Sequence, residues 1–138
     1  MLVFTFITLS LLSASYAAVP EKCTVLECFN VLEQLVSFQD AKVACEAAGK
    51  GALADMHGSY RLNRILGKHF KKSNVTTGLW IDVTSDDSPT FFVDDQPTED
   101  IDSNGVSMDP SQSFQWVVAP EDGQYYTLCA SEKTSGSD

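Results

Sequence analysis

VSFQDAKVACEAAGKGALA, residues 36–54, reads as a single helix with both ends marked. Ser37 followed by Asp40 is a short capping-box pattern, in which a hydroxyl and a carboxylate take up the first free N–H groups of the helix. Phe38, Ala41, Ala44, Cys45 and Ala48 then recur at helical spacing and form one apolar stripe of mostly small side chains. Gly49 stands where the helix must stop, because glycine alone takes the left-handed conformation there at little cost. A stripe of alanines lets another backbone approach closely, and Cys45 points into that contact. A distant bonding partner for Cys45 would fix this helix against the far end of the fold.

Working outward toward the N-terminus, LVFTFITLSLL is a continuous apolar run, and Ser15-Tyr16-Ala17 fits a signal-peptidase site before Ala18. Residues 1–17 are therefore expected to be a signal peptide, since the run falls short of the roughly 20 residues a spanning helix needs. A single domain is expected over residues 18–134, with the polar stretch from Ser131 onward frayed and residues 135–138 a tail. The mature protein is expected to be extracellular and to carry no membrane span.

Four cysteines in such a chain point to disulfides and permit three pairings. The most economical reading joins Cys23 to Cys28 and Cys45 to Cys129, near with near and far with far. The longer bond would close a loop of about 84 residues, worth roughly 4 kcal/mol in the chain-entropy treatment.

The formal charge of −10 argues against nucleic-acid binding, which needs clustered cations. The charge is uneven, however. Five of the nine basic residues, Arg61, Arg64, Lys68, Lys71 and Lys72, fall in one short segment. From Asp82 to Asp109 there are nine acids and no Lys or Arg.

The rest of the chain reads as short elements. Cys28-Phe29-Asn30-Val31-Leu32 opens a first strand that runs to about Leu35, and Ala52-Leu53-Ala54 is a brief apolar link after the helix. Ser59 caps a second helix in which Leu62, Ile65, Leu66 and Phe70 keep the spacing of one buried face while Arg61, Arg64 and Lys68 project away. Asn74-Val75-Thr76 is an N-glycosylation acceptor at Asn74. Leu79-Trp80-Ile81-Asp82-Val83 reads as a strand, with Phe91-Phe92-Val93 as its returning partner in a hairpin. Residues 94–110 read as a long acidic loop, and loops of that length are often functional. Phe114-Gln115-Trp116-Val117-Val118 and Tyr125-Tyr126-Thr127-Leu128-Cys129 are two more strands, joined by the turn Pro120-Glu121-Asp122-Gly123. This order implies an α+β domain with two helices packed beside antiparallel strands and a long irregular loop.

In order and content the chain resembles the C-type lectin-like domain family. Cys28-Phe29 looks like the Cys-aromatic of that domain's first strand, and Phe38, Ala41 and Cys45 like its aromatic-x-x-Ala-x-x-x-Cys helix. Gly51-Ala52-Leu53-Ala54, with Asn63 and Leu66, matches Gly-x-Leu-Ala and the helix after it. Leu79-Trp80-Ile81 resembles the Trp-Ile-Gly core strand, with Asp82 in place of glycine. Cys129-Ala130-Ser131-Glu132-Lys133 loosely resembles the closing Cys-Glu-Lys. The resemblance implies a double-looped α/β domain joined end to end by Cys45–Cys129. It also implies that sugar, where bound, is held through calcium in the long loop. Here the family's Glu-Pro-Asn or Gln-Pro-Asp motif is reduced to Gln96-Pro97-Thr98, and its Trp-Asn-Asp motif and second loop disulfide are absent. Ca²⁺ takes six to eight converging oxygens, and one incomplete triplet does not supply them.

Candidate ligand-binding residues are Gln96, Glu99, Asp100 and Asp102. Candidate ligands for a calcium site of another kind are Asp94, Asp95, Glu99 and Asp102. No enzyme is expected: His57 and His69 are the only histidines, neither has a nucleophile at catalytic spacing, and the cysteines are better used in bridges. Trp80 and Trp116 lie in apolar runs and read as core. Tyr125 and Tyr126 are adjacent in a strand, so one faces away and is a candidate surface contact. The sequence thus reads as a secreted binding module for a protein or glycan, with its recognition surface at 94–109 together with the basic face 61–72. Two other readings are carried, a calcium-dependent carbohydrate-binding lectin and an acidic matrix or mineral-associated protein.

Overall fold

The computed structural model describes residues 19–56, 59–83 and 105–133. Its chain order is β1 (Lys22–Cys23), β2 (Glu27–Val36), α1 (Phe38–Ala47), β3 (Ala52–Leu53), α2 (Tyr60–Lys72), β4 (Leu79–Ile81), β5 (Gly105–Asp109), a 3₁₀ turn (Pro110–Gln112), β6 (Gln115–Ala119) and β7 (Tyr125–Glu132). Both helices begin as the sequence implies. Ser37 Oγ accepts from the backbone N–H of Asp40 at 3.3 Å, and Ser59 Oγ from that of Leu62 at 3.1 Å. Gly49 follows α1 with φ 71°, the left-handed stop. Of the expected small-residue stripe, Ala41 and Cys45 are buried and Phe38 and Ala44 half-buried, while Ala48, the C-cap, is exposed.

The sheet runs β1-β2-β7-β4-β5-β6, with β3 pairing separately on β7. The last strand therefore lies at the centre, with β2 on one side from Glu27↔Glu132 to Val36↔Tyr125 and β4 on the other. The β4–β7 pair is parallel, so the sheet is mixed where antiparallel strands were expected. β7 returns to the free edge of β4 after the chain has passed through β5 and β6. Three further boundaries differ from expectation. Ala52-Leu53 is a strand on β7 instead of a link, because Gly51 at φ 91° brings the backbone against Ala130, where any Cβ would meet the carbonyl. Ser131 and Glu132 are laddered to Cys28 and Glu27, so the polar end does not fray there. Phe114 stands outside β6, in the left-handed region at φ 63°.

The most instructive difference is β5. Residues 105–109 read as the end of an acidic loop, yet they form a strand between β4 and β6 in which Gly105, Val106, Ser107 and Met108 are buried. Phe91-Phe92-Val93, expected to pair with β4, lies outside the described residues.

Two cores cover the two faces of the sheet. The larger, beneath α2, contains Phe29, Leu66, Phe70, Leu79, Ile81 and Trp116. The smaller, beneath α1, contains Ala41, Trp80 and Ala119, with Phe38 and Tyr125 packed against it. β4 is consequently buried on both faces, Trp80 pointing one way and Leu79 and Ile81 the other. The Trp80 indole N–H donates to the Val36 carbonyl at 2.8 Å, and its ring meets Tyr125 edge-on at 4.8 Å between centroids. Tyr126 packs on the opposite core, and both tyrosines are half-buried.

Both economical cysteine pairings are formed. Cys45–Cys129 bolts α1 to the central strand, and Cys23–Cys28 closes the β1–β2 hairpin.

Candidate functional site

The described surface feature with the clearest chemical character is the outer side of α2. The helix YRLNRILGKHFKK contains no carboxylate, and Arg61, Arg64, Lys68, Lys71 and Lys72 are all exposed. Its inner side, Leu62, Asn63, Leu66 and Phe70, is anchored on the larger core. Asn63 is the polar member of that inner side. Its Oδ1 accepts from the Trp116 indole N–H at 2.9 Å, and its Nδ2 donates to the Phe114 carbonyl at 3.5 Å. This pair fixes the roll of the helix and so which side chains point outward. Sequence reading reached Asn63 only as a motif match, since its partners lie 51 and 53 residues away.

A groove of about 540 Å³ runs along one flank of α2, between the helix and the connection from β5 to β6. Arg64, Lys68 and Lys71 form its helix wall, and Gly67 and Phe114 its floor. Gly67 matters for that floor, because a Cβ there would meet Phe114 Cβ at 3.4 Å. Ser113 and Phe114 both sit at positive φ, 56° and 63°, and are held there by the Phe114 ring packing on Phe70 at 5.8 Å. The Asp109 carboxylate stabilises the turn before them, accepting from the Ser111 backbone N–H at 2.9 Å and its hydroxyl at 2.8 Å. Asn74 lies at the groove's end, exposed and left-handed at φ 59°.

On the opposite flank a second recess, of about 570 Å³, is lined by Lys22, Ile65, His69 and the lysines of the last turn. His69 donates from Nε2 to the Pro20 carbonyl at 2.6 Å, which holds the N-terminal strand segment against the helix. His69 therefore has a structural partner.

The remaining sequence candidates fall differently. Asp94, Asp95, Gln96, Glu99, Asp100 and Asp102 lie outside the described residues, as does His57. Within the proposed recognition stretch 94–109, Gly105 through Met108 are buried in β5 and offer no surface. Trp80 and Trp116 are core residues. Among the described residues one close group of metal-ligand types occurs, Glu21 with Cys23 and Cys28, and both of those sulfurs are in the disulfide. Gln96-Pro97-Thr98 also lies outside the described residues. No described helix is long and apolar enough to cross a membrane.

No family model and no curated protein matches the sequence. Solved structures do match the fold. Human lithostathine superposes with a TM-score of 0.66 at 16% identity, covering 82% of this chain and 97% of that one. The mouse scavenger receptor C-type lectin carbohydrate-recognition domain gives 0.63 at 17% identity, over 83% and 96%. A calcium-independent type II antifreeze protein gives 0.63 at 17% identity, over 86% and 98%.

Proposed function

We propose that this chain, which has the C-type lectin-like fold, is a secreted binding module that recognises an extracellular protein or glycan without a calcium-held sugar site. The observation that carries this reading is the side of α2 turned away from the core, five exposed cations between two recesses, on a frame closed by Cys45–Cys129. Two oxidised cysteine pairs and the apolar, cleavable-looking residues 1–17 support secretion. The reduced Gln96-Pro97-Thr98 motif supports independence from calcium.

A glycan-array screen of the deglycosylated protein, with and without chelator, tests the reading. Binding that persists in chelator is expected. Sugar binding lost on chelation would return the calcium-dependent lectin reading through Gln96, Glu99, Asp100 and Asp102. A thermal melt run alongside is expected to be unchanged by Ca²⁺, whereas an ion at 100 times its dissociation constant would stabilise the fold by about 2.7 kcal/mol. Uptake onto calcium mineral that depends on Asp94, Asp95 and Asp102 would favour the acidic matrix reading instead.

A further inference from the structure

We propose that the outward face of α2 binds a linear polyanionic sugar chain, of the sulfated or carboxylated polysaccharide class; this rests on the binding-module reading and names its partner. At about 100° per residue, Arg61, Arg64, Lys68, Lys71 and Lys72 fall within an arc of about 100°, opposite Leu62, Leu66 and Phe70. With a rise of about 1.5 Å per residue they form a row about 16 Å long, spaced mostly about 4.5–6 Å apart. That spacing is shorter than the Debye length of about 8 Å in physiological salt, so their potentials add along the row.

Among the described residues no carboxylate answers the row. α2 has no acid to pair at i+3 or i+4, no ion pair joins any of the five to a described carboxylate, and no described carboxylate lines either flanking recess. This is notable in a chain of net charge −10, where acids outnumber bases 19 to 9. An external polyanion relieves the repulsion and releases its own counterions. The ridge-and-recess shape suits a single extended chain. Tyr60, 60% exposed at the start of the row with Arg64 6.0 Å from its ring centroid, offers an aromatic face to a sugar ring. A bilayer would instead call for large apolar side chains among the cations, and Ile65 beside them is half-buried.

The test uses the secreted, deglycosylated chain on an array of sulfated, carboxylated and neutral glycans, with sulfated polysaccharide in solution at increasing salt. Binding to the sulfated or carboxylated chains is expected, weakening steadily with salt. Arg64→Gln, Lys68→Gln and Lys71→Gln together are expected to weaken it by about tenfold or more. Lys42→Gln, Lys50→Gln and Lys133→Gln together change the net charge equally and are expected to leave it within about twofold. All the replaced side chains are exposed, so melting should be retained; if the first variant melts early, Lys68→Gln alone replaces it. The proposal is overturned if both triple variants weaken binding equally, or if only anionic vesicles, DNA or an acidic protein bind. It is also overturned if only neutral glycans bind, and the binding-module reading then stands. If no glycan and no extracellular protein binds, both fall.

Discussion

Trp116 donates its indole N–H to the Asn63 carboxamide at 2.9 Å, in buried space between β6 and α2. With the Asn63 Nδ2 bond to the Phe114 carbonyl, it pins a mostly apolar contact and sets how α2 is rolled on the sheet. Removing the acceptor leaves a buried N–H short of a partner, which costs about 1–3 kcal/mol. Asn63→Leu should therefore destabilise the fold by about 2 kcal/mol in urea unfolding, although it adds apolar volume. A neutral or stabilising result would mean that the indole N–H has another adequate acceptor.

The two disulfides should differ in worth. Cys45 and Cys129 are 84 residues apart in sequence, and Cys23 and Cys28 only 5. In the chain-entropy treatment the long bond contributes about 4.5 kcal/mol and the short one about 2 kcal/mol. Replacing Cys45 and Cys129 by Ala should lower the melting point far more than replacing Cys23 and Cys28. Equal losses would place the stability of the frame in its packing and not in the tie between α1 and β7.

The contrast between α1 and β5 explains how much of this fold could be read in advance. α1 carries its own signals, Ser37 at one end and Gly49 at the other, and the structure uses both. The basic face of α2 was equally plain, because spacing alone separates Arg61, Arg64 and Lys68 from Leu62, Leu66 and Phe70. β5 carries almost nothing local. Gly105, Ser107 and Asp109 alternate with Val106 and Met108, and glycine and aspartate are depleted in strands. The segment is a strand because β4 and β6 satisfy its backbone on both sides and Trp80 covers Gly105. The groove beside α2 was illegible for the same reason, since its far wall is built from Ser113 and Phe114, held in left-handed conformations by a ring contact with a helix some 44 residues earlier.

Gly105 itself is testable. A Cβ there would run into the Trp80 indole and lie 2.7 Å from Phe38 Cγ. Both rings belong to the small core beneath α1, where Trp80 is fully buried and Phe38 half-buried. Overpacking of this kind costs typically 1–3 kcal/mol. Gly105→Ala should lose about 2 kcal/mol and shift the tryptophan emission. Gly49→Ala meets nothing within 4 Å and should cost only about 1 kcal/mol, from its positive φ. A larger loss at Gly49 than at Gly105 would contradict the packing described for Trp80.

Asn74 follows α2 in the left-handed region, exposed, with Thr76 completing the acceptor triplet. Asparagine tolerates this conformation better than most residues, and glycine better still. Asn74→Gly should leave stability unchanged, while Asn74→Val should cost about 1–2 kcal/mol. In a secretory host we expect a glycan at Asn74, seen as a size step removed by endoglycosidase and absent in Thr76→Ala. Because Asn74 and Lys71 line the same groove, that glycan would root beside the basic row. Its removal should tighten binding to sulfated polysaccharide and leave the melting point nearly unchanged. Tighter binding by the glycosylated form would place the contact away from this flank of α2.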